Sequence, residues 1–350
     1  MKKKSLSDIA AELSVSKTLV SFVLNGRGDE KGISPKTQER VKQVAKAFNY
    51  KPNHFARGLR LGKTQTIGLI VADISNKFYA KIARQVERVA SLNNYNLIIA
   101  SSDENPDKEL QLINMLRDRQ IDGLIISTTH QDSGIFSLMS KESYPYVLID
   151  RNLPKLNSHF VGCDNYNGAY KATNHIIENG YKKIGLLKIC PDHISTIKER
   201  ELGFRAALKE NGLRVHNKLI QTIDFANIRS SVRQVLQEFI QAPNSIDAIF
   251  SLNNNITVAC MEYFDECKIR IPQDIALVSF DDIELFRFSY PKITAVAQPV
   301  DEIGEHAVKI LLDEINGKKL EKKKLILPTE LRKRRSTGIF VNQSTEIVNI

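Results

Sequence analysis

Short stripes of apolar side chains at helical spacing mark the first fifty residues of the chain. They lie at residues 9–13, 19–24 and 41–48, with polar and charged positions between them. Each stripe is long enough to cover one face of a short helix. Two short helices joined by a tight turn, followed by a third, predict a helix-turn-helix unit.

Helix-start signals stand before each of these stripes. Ser5 and Asp8 have the spacing of a capping box, in which each side chain bonds the backbone N–H of the other residue. Ser16 is placed to cap the second helix, and Ser34 followed by Pro35 is typical of the start of a third. The pattern alone also fits a generic three-helix bundle.

Charge distinguishes this region from the rest of the 350-residue chain. Residues 1–63 hold 14 Lys and Arg against 5 Asp and Glu, a net charge of +9, whereas the remaining residues nearly balance at +1. A basic module on a near-neutral partner is typical of nucleic-acid binding, because its cations replace counterions along the phosphate backbone. A solvated basic face without a partner is the alternative that charge alone leaves open.

The second helix is predicted to lie in the major groove, with its N-terminal residues at the base edges. Lysine can donate to guanine, and hydroxyl or amide side chains can bond bases or phosphates. The side chains of this unit that we expect to contact DNA are Ser5, Ser16, Lys17, Thr18, Ser21, Phe22 and Asn25.

Beyond residue 64 the pattern changes to short apolar runs that alternate with amphipathic stretches. This alternation predicts parallel sheets covered by helices on both faces, and the number of runs indicates two doubly wound lobes. Late crossovers are expected near residues 291–294, and one returning strand around residues 325–334. The predicted strands are 67–72, 97–100, 124–126, 146–149, 160–162, 184–187, 248–250 and 275–280, with helices such as 80–92, 108–119 and 166–178 between them.

Polar residues follow most of the predicted strands. They are Asp73, Ser101, Ser127, Asp150, Asp164, Asn253 and Asp281. Ligands of open α/β sheets bind at the carboxyl ends of the strands, so polar side chains converging there from two lobes favour a hydroxyl-rich or charged small molecule. Turns also favour Asp, Ser and Asn, so some of these residues are expected to serve only the loops.

Several classes of function are excluded by the composition and the motifs. No apolar run approaches the ~18 residues of a membrane span, and Asp8 and Glu12 interrupt any signal-peptide core, so we expect a cytoplasmic protein. The four cysteines show no metal spacing, and neither a metal nor a cofactor is expected. Phosphate loops, nucleophile elbows and dinucleotide fingerprints are absent, and no nucleophile or base matches the acid pair Asp281 and Asp282, so we expect no enzyme.

These features resemble the LacI/GalR family of repressors. The resemblance is carried by the runs SLSDIAAELSVSKTLVSFVLN, ISPKTQERVKQVAKAFNYKPNHFARGL and TIGLIVADISNKFYAKI, and it extends over nearly the whole chain. It implies a homodimer that binds pseudo-palindromic operator DNA through a helix-turn-helix headpiece and a hinge helix. It also implies a core like that of sugar-binding proteins, with a small-molecule effector that is a sugar or sugar derivative.

A hinge helix over residues 54–60 belongs to what the resemblance implies. Asn53 is placed to cap it, and Arg57 lies on it. In the family, the leucine that matches Leu59 wedges into the minor groove at the operator centre and kinks the duplex, while the alanine that matches Ala56 lets the backbone approach. The alternative is a linker helix with Leu59 packed on its own core.

The resemblance also implies an effector site in the core. An arginine fork and a carboxylate can share the hydroxyl groups of a ligand, and aromatic faces stack on a sugar or a base. The positions that match the family's pocket are Phe78, Tyr79, Ser127, Asp150, Arg200, Phe225, Asn253 and Asp281.

The sequence departs from the family pattern at several positions. Phe22 stands where many members carry Arg or His; it cannot donate a hydrogen bond, so it contacts a thymine methyl group or packs. The loop NGRGDEKG is longer than usual, and its Arg27 and Lys31 could reach phosphates. Asn254 replaces a common Asp, and Ser279 a frequent Gly. The operator sequence and the ligand therefore do not follow from relatives.

The predicted organisation is a headpiece at residues 1–50, a hinge and linker at 51–63, a core of periplasmic-binding-protein type at 64–340 that binds effector and dimerises, and a tail at 341–350. The predicted function is that of a transcriptional regulator, of repressor type, whose operator affinity is controlled by the effector. A sugar-binding protein of the same core fold without a DNA role is the alternative, and the basic first sixty residues argue against it.

Overall fold

The computed structural model describes residues 4–50, 63–240, 245–318 and 321–338. The chain divides into two compact units, Met1–Thr64 and Gln65–Ile350. The predicted hinge helix, with Asn53, Ala56, Arg57 and Leu59, lies outside the described residues, as does the predicted tail. None of the described helices is long and apolar enough to cross a membrane.

The first unit is a three-helix bundle that contains the predicted helix-turn-helix. Its helices are α1 (Leu6–Glu12), α2 (Lys17–Leu24) and α3 (Pro35–Ala47), and they bury Ile9, Val20 and Val41 between them. All three predicted caps are present: Ser5 forms the capping box with Asp8, Ser16 Oγ accepts from the backbone N–H of Leu19, and Ser34 Oγ accepts from that of Thr37. These contacts satisfy backbone donors that a helix start otherwise leaves unpaired.

The second unit alternates strands and helices over most of its length. Its strands are β1 (Thr66–Val71), β2 (Asn96–Ser101), β3 (Gly123–Ile126), β4 (Tyr146–Ile149), β5 (His159–Cys163), β6 (Ile184–Ile189), β7 (Ile220–Ile223), β8 (Ala248–Ser251), β9 (Ala276–Phe280), β10 (Thr294–Ala297), β11 (Lys324–Leu327) and β12 (Glu330–Arg332). Its helices are α4 (Lys77–Leu92), α5 (Pro106–Asp118), α6 (Gly134–Lys141), α7 (Asn165–Glu178), α8 (Ser195–Glu210), α9 (Ile228–Ile240), α10 (Asn254–Glu266), α11 (Leu285–Phe288) and α12 (Val300–Ile315).

Two six-stranded sheets form two lobes, as predicted. The first has the order β11-β5-β4-β3-β1-β2 and is parallel throughout; the second has the order β12-β10-β9-β8-β6-β7 and is parallel except for β12. Each sheet is covered on both faces by helices, so its central strands are buried along their whole length. The fold is therefore the predicted pair of doubly wound lobes.

Three elements differ from the prediction. The buried strand β10 begins where only a crossover near residues 291–294 was expected, and the crossover follows that strand. The edge strand β7 was not predicted, because two of the four residues in its sequence, IQTI, are polar and only one of the four is buried. The single returning strand expected around residues 325–334 is in fact two strands, β11 in the first sheet and β12 in the second. Pro328 separates them, because a proline has no N–H to donate to a ladder.

The chain crosses between the lobes after β5, after β10 and between β11 and β12. The carboxyl ends of the parallel strands in both sheets face the cleft that these crossovers span. A binding site for a small molecule is therefore expected in this cleft rather than at the outer faces of the lobes.

Candidate functional site

One face of α2 carries a stripe of exposed and half-exposed side chains. Thr18, Ser21, Phe22 and Asn25 are three, four and seven positions apart and therefore lie on the same side of the helix. The opposite side buries Val20 and Val23 in the bundle. The predicted DNA-contacting residues of this helix thus share one face that the bundle core does not use, and Lys17 stands exposed at its N-terminal end.

Ser5 and Ser16 are engaged as helix caps. Ser16 Oγ accepts from the backbone N–H of Leu19 at 3.1 Å, so its own hydroxyl hydrogen remains available to a phosphate. The hydroxyl of Ser5 donates to Asp8 Oδ2 at 2.9 Å, and the same carboxylate accepts from the Ser5 backbone N–H at 2.6 Å. Ser5 therefore has less capacity for a DNA contact than Ser16.

The cleft between the lobes brings together seven of the eight predicted effector residues. The cavity at its centre has a volume of about 30 Å³ and lies against Phe78, Tyr79, Asp150, Arg200, Phe225, Asn253 and Asp281. Ser127, the eighth, is fully buried behind this lining. A cavity of this size holds one or two water molecules, which is less space than a sugar needs.

Tyr79, Ser127 and Asp150 form a buried hydrogen-bonded cluster in the first lobe. The Tyr79 hydroxyl lies 3.0 Å from Ser127 Oγ and donates to Asp150 Oδ2 at 2.9 Å. Burial raises the pKa of Asp150 above its ordinary value, although the neighbouring Arg151 and Arg200 oppose the shift. Asp150 also has a left-handed backbone, with φ at +59°. Such strained positions cluster at functional sites.

Three contacts hold Arg200 in the second lobe, and part of its guanidinium group faces the cleft. Its Nε donates to Asn165 Oδ1 and its Nη1 to the carbonyl oxygen of Leu252, both at 2.8 Å. The guanidinium carbon lies 3.7 Å from the centre of the Phe280 ring, a cation–π contact. Within the described residues, Nη2 has no hydrogen-bond partner, so it can bind a ligand oxygen.

A glycine sets the position of Arg200. A Cβ atom at Gly203 would lie 2.2 Å from the carbonyl oxygen of Tyr166 on α7, closer than any real contact. The missing side chain lets the backbones of α7 and α8 approach each other. This approach brings Arg200 on α8 against Asn165 at the start of α7.

Asp281 is the strand-end acid of the second lobe, and its partner Asn254 links the two lobes. It has a φ of +75°, and its carboxylate accepts from Gln298 Nε2 at 2.5 Å and from Asn254 Nδ2 at 3.3 Å. Asn254 also donates to Asn76 Oδ1 across the cleft at 2.8 Å. Asn253, by contrast, uses its side-chain oxygen to cap α10 at 2.8 Å from the backbone nitrogen of Asn255.

The cleft also holds residues that the sequence did not single out. Arg151 forks onto the carboxylate of Glu104 with distances of 2.7 and 2.5 Å, and both side chains are less than 10% exposed. Arg151 directly follows Asp150 at the end of β4, and that adjacency was a usable signal. Glu104 and Gln298 carried no local signal, because the first lies in the loop after β2 and the second at a crossover.

Three strand-end polar residues serve the fold instead of the cleft. Ser101 accepts from the backbone N–H of Ile74, and Asp164 caps α7. The side chain of Asp282, next to Asp281, is nearly fully buried and turns away to bond Arg332 and Arg334. Asp281 and Asp282 therefore do not act as an acid pair.

Comparison with known proteins gives one family match in each unit of the chain. Residues 5–53 match the model of the bacterial regulatory proteins of the lacI family, and residues 173–337 match that of the periplasmic binding protein-like domain. Catabolite control protein A of Priestia megaterium is 31% identical over 337 residues, which cover 95% of this chain and 99% of that protein.

Two solved structures resemble the whole chain. The transcriptional regulator CelR in complex with cellobiose has a TM-score of 0.70 and 27% identity, with 95% of this chain and 99% of that one covered. The lac repressor dimer bound to operator and an anti-inducer has a TM-score of 0.82 and covers 97% of this chain and all of that one. At 22% identity, the second likeness shows the fold alone.

Proposed function

We propose that α2 of this chain binds operator DNA and that the cleft between the lobes binds the effector. The chain belongs to the lacI family of bacterial regulatory proteins and is a DNA-binding transcriptional regulator. The observation that carries the proposal is the convergence of Phe78, Asp150, Arg200 and Asp281 from both lobes on one cavity. A ligand held by groups of two lobes stabilises one lobe arrangement over another, which is the differential binding that regulation requires.

The charges of the cleft favour an uncharged, hydroxyl-rich effector. Four carboxylates and two guanidinium groups line the cavity, namely Asp73, Glu104, Asp150, Asp281, Arg151 and Arg200. Since one of the guanidinium groups is already paired bidentately, a phosphate would meet excess negative charge. Hydroxyl groups can instead accept from an arginine and donate to a carboxylate at once. The cellobiose complex of CelR, a structure with the same fold, supports a carbohydrate.

The headpiece is proposed to bind DNA as part of a homodimer. Its net charge of +9 over residues 1–63 would release counterions from the phosphate backbone on binding. We therefore expect operator affinity to fall steeply as salt concentration rises, and an operator recovered by in vitro selection to be an approximate palindrome that mirrors the twofold dimer. Salt titration of the selected duplex by fluorescence anisotropy measures the first, and sequencing of the selected pool the second. Binding that salt does not weaken, or recovery of asymmetric sites alone, would contradict the proposal.

Leu59 is proposed to convert ordering of the hinge into operator affinity. An isolated helix of the length implied for residues 54–60 is unstable in water, so we expect it to form only on DNA, where Leu59 wedges between base pairs. Leu59→Ala should weaken operator binding and reduce DNA bending, while effector affinity without DNA stays the same. Gel-shift bending assays on one operator compare the two proteins. Equal bending and equal affinity would mean that Leu59 packs on the protein.

A further inference from the structure

The loop between α2 and α3 places two cations over the ring of Phe22. The guanidinium carbon of Arg27 lies 5.6 Å from the ring centre, and the ammonium nitrogen of Lys31 lies 5.7 Å from it. Both distances fall within the range of a cation–π contact. Phe22 belongs to the exposed stripe of α2, so the loop adds positive charge directly beside the face that is proposed to meet DNA.

The conformation of this loop is set by its own contacts. Gln38 on α3 donates to Asp29 Oδ1 at 2.7 Å and to the carbonyl oxygen of Ile33 at 2.8 Å. Its side chain lies on Gly28, where a Cβ atom would stand 2.4 Å from the Gln38 amide group. The backbone N–H of Arg27 also bonds the carbonyl oxygen of Phe22 at 2.9 Å. The loop therefore holds its cations beside α2 through a defined set of bonds.

Glu30 binds the two guanidinium nitrogens with which Arg27 would bind a phosphate. Its two carboxylate oxygens accept from Arg27 Nε at 2.9 Å and Nη2 at 2.7 Å, and one of them lies 3.3 Å from Lys31 Nζ. The hydrogen bonds from Arg27 and then Lys31 lower the pKa of Glu30 to about 2, so the carboxylate is ionised at neutral pH. Bidentate binding by arginine suits carboxylate and phosphate alike, so the two compete for the same donors.

We infer that Phe22, Arg27 and Lys31 form a composite DNA-contacting surface on which Glu30 competes with the DNA phosphates for both cations. The Phe22 ring contacts a thymine methyl group and supplies sequence preference. The two cations contact flanking phosphates and supply affinity for any sequence, which Glu30 lowers. The inference rests on the proposed function of α2 and adds to it a loop that regulates the strength of non-specific binding.

Charge substitutions in the full-length protein separate these roles on two probes, the selected operator duplex and a random-sequence duplex of equal length. We expect Glu30→Gln to bind both duplexes roughly 3- to 10-fold more tightly. Arg27→Ala should bind both more weakly and reduce the slope of log affinity against log salt by about 0.9, the value for one phosphate contact. Fluorescence anisotropy at several salt concentrations gives both quantities.

The core provides a matched control in Glu87→Gln. Glu87 pairs with Arg84 three residues before it at 2.7 Å, the same spacing and distance as Glu30 with Arg27, and the charge change is identical. If Glu30→Gln alters affinity no more than Glu87→Gln, or weakens it, the competition is refuted. If the wild type itself shows no preference for the operator, the proposed function fails instead of the loop's role.

Phe22→Ala and Phe22→Leu test whether the Phe22 ring supplies sequence preference. Repeated selection should show that the alanine variant loses a thymine preference at one position of each half-site, whereas leucine, which also contacts a methyl group, retains part of it. Circular dichroism melts of both variants verify that the headpiece remains folded. An unchanged thymine preference in a folded alanine variant would show that Phe22 only packs against the loop.

Discussion

Arg200→Ala should abolish the response of operator binding to the effector while operator binding without effector stays nearly unchanged. The guanidinium group is buried in the cleft, and one of its nitrogens has no hydrogen-bond partner among the described residues. Hydrogen bonds from a charged donor contribute about 1.5–3 kcal/mol each, so losing one of them lowers effector affinity by roughly 10- to 150-fold. The stripe of α2 that is proposed to contact DNA belongs to the other unit, and the substitution does not change its side chains.

Titration calorimetry measures this effect once a thermal-shift screen of monosaccharides has identified a sugar that stabilises the wild type. Arg205→Ala is the matched control, because Arg205 lies on the same helix but pairs with Glu201 and Asn217 at the surface. Arg200→Lys keeps the charge but loses the planar guanidinium group, so we expect it to restore little of the effector affinity that Arg200→Ala loses. Wild-type affinity for the sugar in Arg200→Ala would refute the assignment of this residue to the effector site.

Asp282→Ala should cost the core about 3 kcal/mol of stability, a large share of what a domain has. The Asp282 side chain is only 1% exposed and accepts from Arg332 and Arg334 at 2.7–2.8 Å. Removing it leaves Arg334, itself mostly buried, without its charge partner. The substitution also loosens the segment that carries β12 beside β10, next to the strand end that positions Asp281.

The same contact predicts a pH dependence with a definite sign. Burial alone would raise the pKa of Asp282, but the hydrogen bonds and charges of Arg334 and Arg332 outweigh it, and the pKa is lowered. A carboxyl group whose folded-state pKa is depressed stabilises the fold above its unfolded pKa, and this stability is lost as pH falls through the folded value. The stability gap between wild type and Asp282→Ala should therefore be full at pH 7 and narrow below about pH 4.

Urea unfolding followed by circular dichroism at several pH values measures this gap. Asp274→Ala is the control, since Asp274 is also paired bidentately with an arginine, Arg270, but at the surface of the same lobe. Exposed pairs contribute little, so the control should remain close to wild type. Equal losses in the two variants would mean that the buried arginine contacts of Asp282 are not stabilising.

The headpiece shows how much of this protein follows from local sequence. Ser5, Ser16 and Ser34 cap their helices through bonds to residues three positions away, and the apolar stripes need only the helical period to define a buried face. Such interactions join residues within one helical turn, so they can be recognised from the sequence. Most strands of both sheets were predictable for a similar reason, because short apolar runs that alternate with helices are typical of buried parallel strands. Strands β7, β10 and β12 were not predicted as separate strands.

The candidate effector site was predictable only in part. Polar strand ends pointed to Asp150, Asn253 and Asp281, and the family resemblance added Arg200 and the aromatic residues. The strand-end pattern did not separate Asp164, which caps a helix, from residues that line the cavity. The family resemblance left Asp164 out, but it also left out Asp73, which does line the cavity. The difference lies in the direction that a side chain takes after the strand ends, and the backbone of the following loop decides that direction.

The sequence by itself determined the helix-turn-helix, its charge, the two parallel-sheet lobes and the family. Only the tertiary structure decided which charged and polar groups meet in the cleft. Glu104 pairs with Arg151 across 47 residues, and Asn254 reaches Asn76 across 178. The first pair meets only when the strand ends of β2 and β4 are brought together in the first lobe, and the second only after the chain has crossed between the lobes. Hydrophobic periodicity records which face of an element is buried but not what lies opposite, so the partners of buried polar groups are settled by packing alone.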